Sequence, residues 1–181
     1  VGIAKPLFGT TATHAAVLFD AWGEERAKEF FRSLKENAKV LSGNKQVAQA
    51  VARGELLFGL TDTDDAFIEL RKPDSNVAIV FPDQGENQMG ALFIPNTLAI
   101  IKGGPNADRA RELVDYLLTA RIEEQLAQSE SAQFPLHEQA NVQSPVAPDE
   151  SLKRMEVDFR SAAQKWDAAA AFLTGEFATA E

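Results

Sequence analysis

With 181 residues, 45% of them hydrophobic and 25% charged, the chain can bury a core without disulfides, as one large domain or two small lobes, and its composition is that of a globular protein. A formal net charge of −9, from 27 acidic against 18 basic residues, repels nucleic acid and anionic membrane surfaces, and no basic cluster offsets it. The absence of cysteine removes disulfides, zinc–thiolate sites and cysteine nucleophiles, and no apolar run reaches the roughly 18 residues that a membrane span requires.

In chain order, residues 2–5 read as a short strand and 6–9 as a turn. Thr10, Thr11 and Thr13 follow at a helix start, where hydroxyls can cap free N–H groups. Ala15, Leu18, Phe19 and Trp22 then recur at i, i+3, i+4 and i+7, the apolar face of a helix that Gly23 ends. The next stretch, Glu24–Asn37, repeats the pattern with Ala27, Phe30, Phe31 and Leu34, and its opening Glu24 and Glu25 suit the positive end of a helix dipole. Lys39–Leu41 is a brief extended piece. Residues 44–53 form a third helix with Val47, Ala50 and Val51 inward and Gly54 as its stop.

An apolar strand is predicted over 56–60, then a helix over 62–71 opened by aspartates and broken by Lys72, Pro73 and Asp74. The β-branched run 76–81, NVAIVF, has the character of a strand buried in a sheet centre. Residues 82–88 are a polar loop around Gly85. Two apolar runs within 91–102 are interrupted by Pro95, Asn96 and Thr97, which confines that point to an edge or to a crossing between lobes. Gly103, Gly104 and Pro105 lead into a helix carrying Ala110, Leu113, Val114 and Leu117, and a shorter helix covers 122–127. Residues 130–148 read as a surface loop. Leu152, Met155, Phe159, Ala162, Trp166, Ala169 and Leu173 alternate steps of three and four along one long closing helix, with no internal repeat anywhere.

Alternating helices and strands imply an α/β chain whose sheet is covered by helices, and ligands of such sheets sit beyond the carboxyl ends of the strands. Thr61, Asp62, Thr63, Asp64 and Asp65 fall at such a strand end. Two more helix starts, residues 10–13 and the pair Gly43 and Asn44, are candidates to converge there. Capping alone accounts for the threonines and for Gly43 with Asn44. Three aspartates within four residues exceed what capping needs, because like charges so close repel and raise one another's pKa. A cationic ligand, a metal or a basic partner side chain would relieve them. His14 and His137 are the two histidines; His14, one turn inside the first helix, could face the same pocket, but neither has an HxxxH or HxH partner for zinc. No GxSxG, P-loop or GxGxxG occurs, and nothing marks an activated nucleophile.

The runs IAKPLFGTTATHAA, SGNKQVAQAVARGELLFGLTDTDDA and FIPNTLAIIKGGPNADRARELVDYLL, followed by QFPL, resemble the later two-thirds of ABC-transporter solute-binding proteins of the ferric-iron-binding type, and the closing helix with Trp166 and Phe172 fits as well. The resemblance implies a type II periplasmic-binding fold: a mixed sheet with helices on both faces and a helical C-terminal part. Residues 1–90 would be the second, ligand-binding lobe, 91–148 a crossing strand and helices belonging to a remnant of the first, and 149–181 a C-terminal helix packing back on the second. It also implies solute binding for ABC import, iron transport in name, without enzymatic activity and with a membrane permease as partner. Its location would be periplasmic, or extracellular and lipid-anchored, with any signal outside these residues. Val1 reads as the start of a processed or truncated product.

Carried over position by position, the family's anion-holding turn resembles Gly9, Thr10 and Thr11, its polar residue before the next helix resembles Asn44, and its ligand-bearing strand end resembles residues 60–65, with Asp62, Asp64 and Asp65. Ferric-binding members place two consecutive tyrosines where Asp64 and Asp65 align. Tyr116 is the single tyrosine here, expected on the inward side of a helix, so iron held by paired tyrosinates is excluded. Carboxylates at Asp64 and Asp65 remain competent for hard cations and equally for an amine. No cofactor is required by this reading, which accommodates a bound metal cation or small anion. The partners it implies are a small-molecule or ion ligand and the permease, without nucleic acid; a dimer through an exposed edge stays open. A ligand-sensing domain of a transcription regulator and a carboxylate-dependent enzyme remain as alternatives.

Overall fold

The computed structural model describes residues 1–147 and 151–178. It divides into two compact units: one made of residues 1–94 with 152 onward, the other of Pro95–Ser151.

The first unit is built on strand β1, Gly2–Ala4, which pairs in parallel with β2, Lys39–Leu41, in register Ile3 to Val40. On its other side, Gly2 N–H donates to Phe58 O at 3.0 Å and Leu60 N–H donates to Gly2 O at 2.9 Å, so residues 58–60 run parallel to β1 as well. The pleat of β1 sorts its neighbours. Ile3 faces helices α1, Gly9–Trp22, and α2, Glu24–Asn37, together with the closing helix α8, Trp166–Phe177. Gly2 faces α3, Asn44–Ala52, because a side chain there would meet Leu56 and the Val47 methyl. Gly59 is equally confined: a Cβ would come within 2.3 Å of Val47 Cγ1, well short of van der Waals contact. The two glycines let three backbones approach closely, and that draws the strand ends together. The α/β class expected from the sequence is therefore what forms, with a sheet that is parallel throughout and small where a mixed one was expected.

Helical periodicity was legible because it is local. Phe19, Phe31, Leu173 and Phe177 all meet in the core with Ile3, each fully buried apolar side chain stabilising by about 1.5–3 kcal/mol. Helix α4, Thr63–Leu70, packs on α3 and buries Phe67. The closing helix is shorter than predicted. Residues 152–158 are irregular, with Ala91 bridging Arg154 and its N–H donating to Lys153 O at 2.9 Å. Helix α7, Phe159–Gln164, starts where the Asp158 carboxylate accepts from the N–H groups of Arg160 and Ser161, at 2.8 and 3.4 Å, and Lys165 separates it from α8. Residues 148–150 and 179–181, within the predicted loop and C-terminal segment, lie outside the described residues.

Three predicted strand regions are corrected. Residues 56–60 were expected as a buried strand; they make one bridge to β1, and Leu57 is 95% exposed. Residues 76–81 form no strand and Val80 is 81% exposed. The apolar runs of 91–102 likewise lack a ladder beyond the Ala91 bridge, and Ile101 is 82% exposed. A strand is completed by a ladder of hydrogen bonds to a neighbour, and among the described residues 58–60 and Ala91 make only single bridges.

In the second unit, α5, Ala107–Leu117, precedes α6, Ala120–Gln128. Ala110, Val114 and Leu117 lie on one half-buried stripe of α5, but no residue of that helix is fully buried. Tyr116, expected inward, is 53% exposed, because it falls on the opposite side of that stripe. The predicted surface loop is tied to α6: the Glu123 carboxylate accepts from the N–H groups of Leu136 and His137, and Asn141 N–H donates to Glu124 at 2.9 Å.

Candidate functional site

All three parallel segments of the first unit send their carboxyl ends to one side, and each leads into a helix that starts there: β1 into α1, β2 into α3, and 58–60 into α4. Three sets of helix N–H groups and three positive dipole ends therefore share one region. None of the three helices is capped by a side chain. Phe8 and Gly43, at the first two N-cap positions, have no capping oxygen, and Gly9 opens α1 with φ +65°, a left-handed turn that favours glycine. Asp62, at the third, has a carboxylate and does not use it on its own helix.

That carboxylate turns instead to the other two segments. Thr10 Oγ1 donates to both its oxygens, at 2.9 and 3.0 Å, and Asn44 Nδ2 donates to Oδ2 at 2.6 Å and to Thr10 Oγ1 at 3.0 Å. The amide of Asn44 must point this way, since the reverse orientation would set its carbonyl oxygen against a carboxylate. Thr11 Oγ1 donates to Asn44 Oδ1 at 3.5 Å, and Thr61 Oγ1 donates to the Asn44 backbone oxygen at 3.0 Å. Residues 52 positions apart are thus locked into one triad across three helix starts. Charge-assisted hydrogen bonds of this kind are roughly twice as strong as neutral ones.

The triad forms one wall of an open cleft of about 370 Å³. Gly9, Thr10, Thr11, Asn44, Asp62 and Asp65 line it, and so do Lys5, Phe8 and Lys45, which the sequence reading did not single out. Their signal was positional: Lys5 is the residue just past β1, and Lys45 follows Asn44 at the start of α3. Asp64 does not line the cleft. It lies beside it in the first turn of α4, where ligand atoms of Asp62, Asp64 and Asp65 come within 4.8 Å of one another. Three carboxylates carry six oxygens, the low end of the roughly six to eight that calcium takes, and both of those on Asp62 already accept hydrogen bonds from Thr10 and Asn44.

Burial raises the pKa of Asp62 above the usual carboxylate value; the hydrogen bonds from Thr10 and Asn44 pull it back, and the charge of Asp64 adds to the rise. Asp65 is raised as well, first by burial, then by Asp64 and Asp62, with Lys45 opposing. His14 does not line the cleft, contrary to expectation. It is half-buried, and desolvation lowers its pKa against a partial offset from the Asp83 charge.

Residues 1–162 match the family described as bacterial extracellular solute-binding protein. An uncharacterized protein of Haemophilus influenzae is 32% identical over 165 residues, which cover 88% of this chain and 45% of that one. The crystal structure of apo ferric ion-binding protein A from Pasteurella haemolytica superposes with a TM-score of 0.82 at 20% identity, over 99% of this chain and 57% of the other. The chain therefore spans about half the length of both relatives. No helix among the described residues is long and apolar enough to cross a membrane. From 162 matched positions and a shared α/β periplasmic-binding fold it follows that this chain belongs to the bacterial extracellular solute-binding protein family.

Proposed function

We propose that the chain carries one lobe's share of the ligand site of a substrate-binding protein for ABC-type import, acting outside the cytoplasmic membrane, without catalysis, and handing its solute to a membrane permease. The observation that carries this reading is the Thr10–Asn44–Asp62 triad. Its residues come from three separate helix starts, meet at the carboxyl ends of parallel strands, and include an N-cap aspartate diverted from capping. A fold needs no such diversion for stability, since Asp62 at its N-cap position could bond its own helix instead.

Gly9, Thr10, Thr11, Asn44, Asp62 and Asp65 would contact a cation or small polar solute, with Asp64 adding negative charge from the rim. No tyrosine lines the cleft, so an iron ligand held as tyrosinate is not part of this proposal. Cleft closure would couple binding to recognition by the permease, the bound solute favouring the closed state. Amide chemical-shift mapping tests the site: calcium, phosphate and ethanolamine are added separately at high concentration. At least one should move the amides of residues 9–11, 43–46 and 61–65 as a group. Shifts confined to other surfaces would refute the assignment.

A further inference from the structure

Asn44 donates to both other members of the triad, so the geometry of the triad depends on how the start of α3 is seated. Residues 58–61 make that seat. Gly59 and Thr61 are two apart and face α3, while Phe58 and Leu60, at the alternate positions, are exposed. With no side chain at Gly59, Val47 closes onto the segment, and one turn earlier in the helix Thr61 Oγ1 donates to the Asn44 backbone oxygen at 3.0 Å. The next residue, Asp62, accepts from the Asn44 side chain at 2.6 Å. Consecutive residues thus hold Asn44 by its backbone and by its amide.

The fold itself has little use for the Thr61 bond. The Asn44 carbonyl already serves α3 as acceptor for the N–H four residues on, and the free groups of a helix start are N–H groups, which a hydroxyl acting as donor does not satisfy. What the bond does is fix position. Thr11 also reaches Asn44, but at 3.5 Å, longer than the usual range, and from a side chain that lines the cleft. Thr61 does not line the cleft, so it acts on a solute only through Asn44.

Building on the solute-binding reading above, we infer that Thr61 is the positioning residue of the cleft: its hydroxyl seats the first turn of α3 so that the Asn44 amide meets Thr10 and Asp62. With that bond lost, the start of α3 is free to shift against residues 58–61, and a shift of about 1 Å carries both Asn44 bonds past hydrogen-bond range. The wall of the cleft then loses its fixed pattern of donors and acceptors without losing any residue that lines it.

The test compares the 181-residue chain with Thr61→Val, which keeps the branched shape without the hydroxyl, and with Thr61→Ser, which keeps the hydroxyl without the methyl. Solvent exchange of the Asn44 side-chain amide protons is read by NMR in each, and each is titrated with ethanolamine, calcium chloride and sodium phosphate. Exchange should quicken about fivefold or more in Thr61→Val, the weight of one hydrogen bond, and return to within about twofold of wild type in Thr61→Ser. Whichever probe moves the amides of residues 9–11 and 43–46 in the wild-type chain should bind Thr61→Val more weakly by a similar factor, and Thr61→Ser should restore it. A purely structural role would lower the Tm of Thr61→Val and leave exchange and affinity at their wild-type values; that result, or a failure of Thr61→Ser to rescue, overturns the inference and leaves solute binding standing. If Thr61→Val does not fold, Thr61→Ala takes its place, and the wild-type chain gives a second reading: the Asn44 amide protons should exchange more slowly than those of the exposed Asn76, and equal rates overturn the inference. If no probe moves the amides of residues 9–11 and 43–46, the solute-binding reading falls and the inference falls with it.

Discussion

Asp62 stands at an N-cap position yet gives its carboxylate to Thr10 and Asn44 and not to its own helix. Burial raises its pKa, so the folded chain holds its proton more tightly than the unfolded chain does, and the charged form is a cost to the fold at neutral pH. The sign follows from linkage. Between the ordinary carboxylate pKa and the raised one, the native state binds more protons than the unfolded state, so the contribution of Asp62 to stability grows as pH falls through the raised pKa and levels off below the unfolded value. Unfolding curves of the wild-type chain and Asp62→Asn, compared across the acid range, should show wild type gaining on the variant as pH falls. The opposite trend would mean that the bonds from Thr10 and Asn44 outweigh burial. Sequence alone placed Thr10, Asn44 and Asp62 at helix starts but could not distinguish capping from convergence, because the distances that decide it join residues 18 to 52 positions apart.

At the scale of elements, helices were legible and strands were not. The repeats in Glu24–Asn37 carry their own hydrogen bonds, so composition and spacing suffice. The run NVAIVF has every local mark of a strand, yet a strand needs a partner, and none is supplied among the described residues. The closing helix misled for a related reason. Leu152, Met155 and Phe159 keep helical steps of three and four, but residues 153–155 spend their backbone groups on Ala91 and do not continue the helix. The true start is marked by Asp158, whose carboxylate caps α7. Asp158→Ala should cost about 1 kcal/mol, read as a lower denaturation midpoint with an unchanged slope. No change in midpoint would mean that packing of Ala162 alone sets that boundary.

At the scale of the molecule, the apolar core and the open cleft of the first unit are made by different residues. Phe19, Phe31, Leu173 and Phe177 with Ile3 secure α1, α2 and α8 to the sheet, while the surface pairs of Arg32 and Lys35 with Glu176 add at most about 1 kcal/mol each. The strand ends carry no comparable core and present polar groups to an open cleft. The chain spans about half its relatives' length, so the role of that cleft and the activity of a whole transporter component are proposals for these 181 residues. The most direct test of the central claim is thermal unfolding of the wild-type chain and Asn44→Ala, each with and without high concentrations of ethanolamine, calcium or phosphate. Binding to the native state raises Tm by mass action. The account predicts that a solute which stabilises the wild-type chain loses most of that effect in Asn44→Ala. An equal rise in both would place the solute away from the strand ends and contradict it.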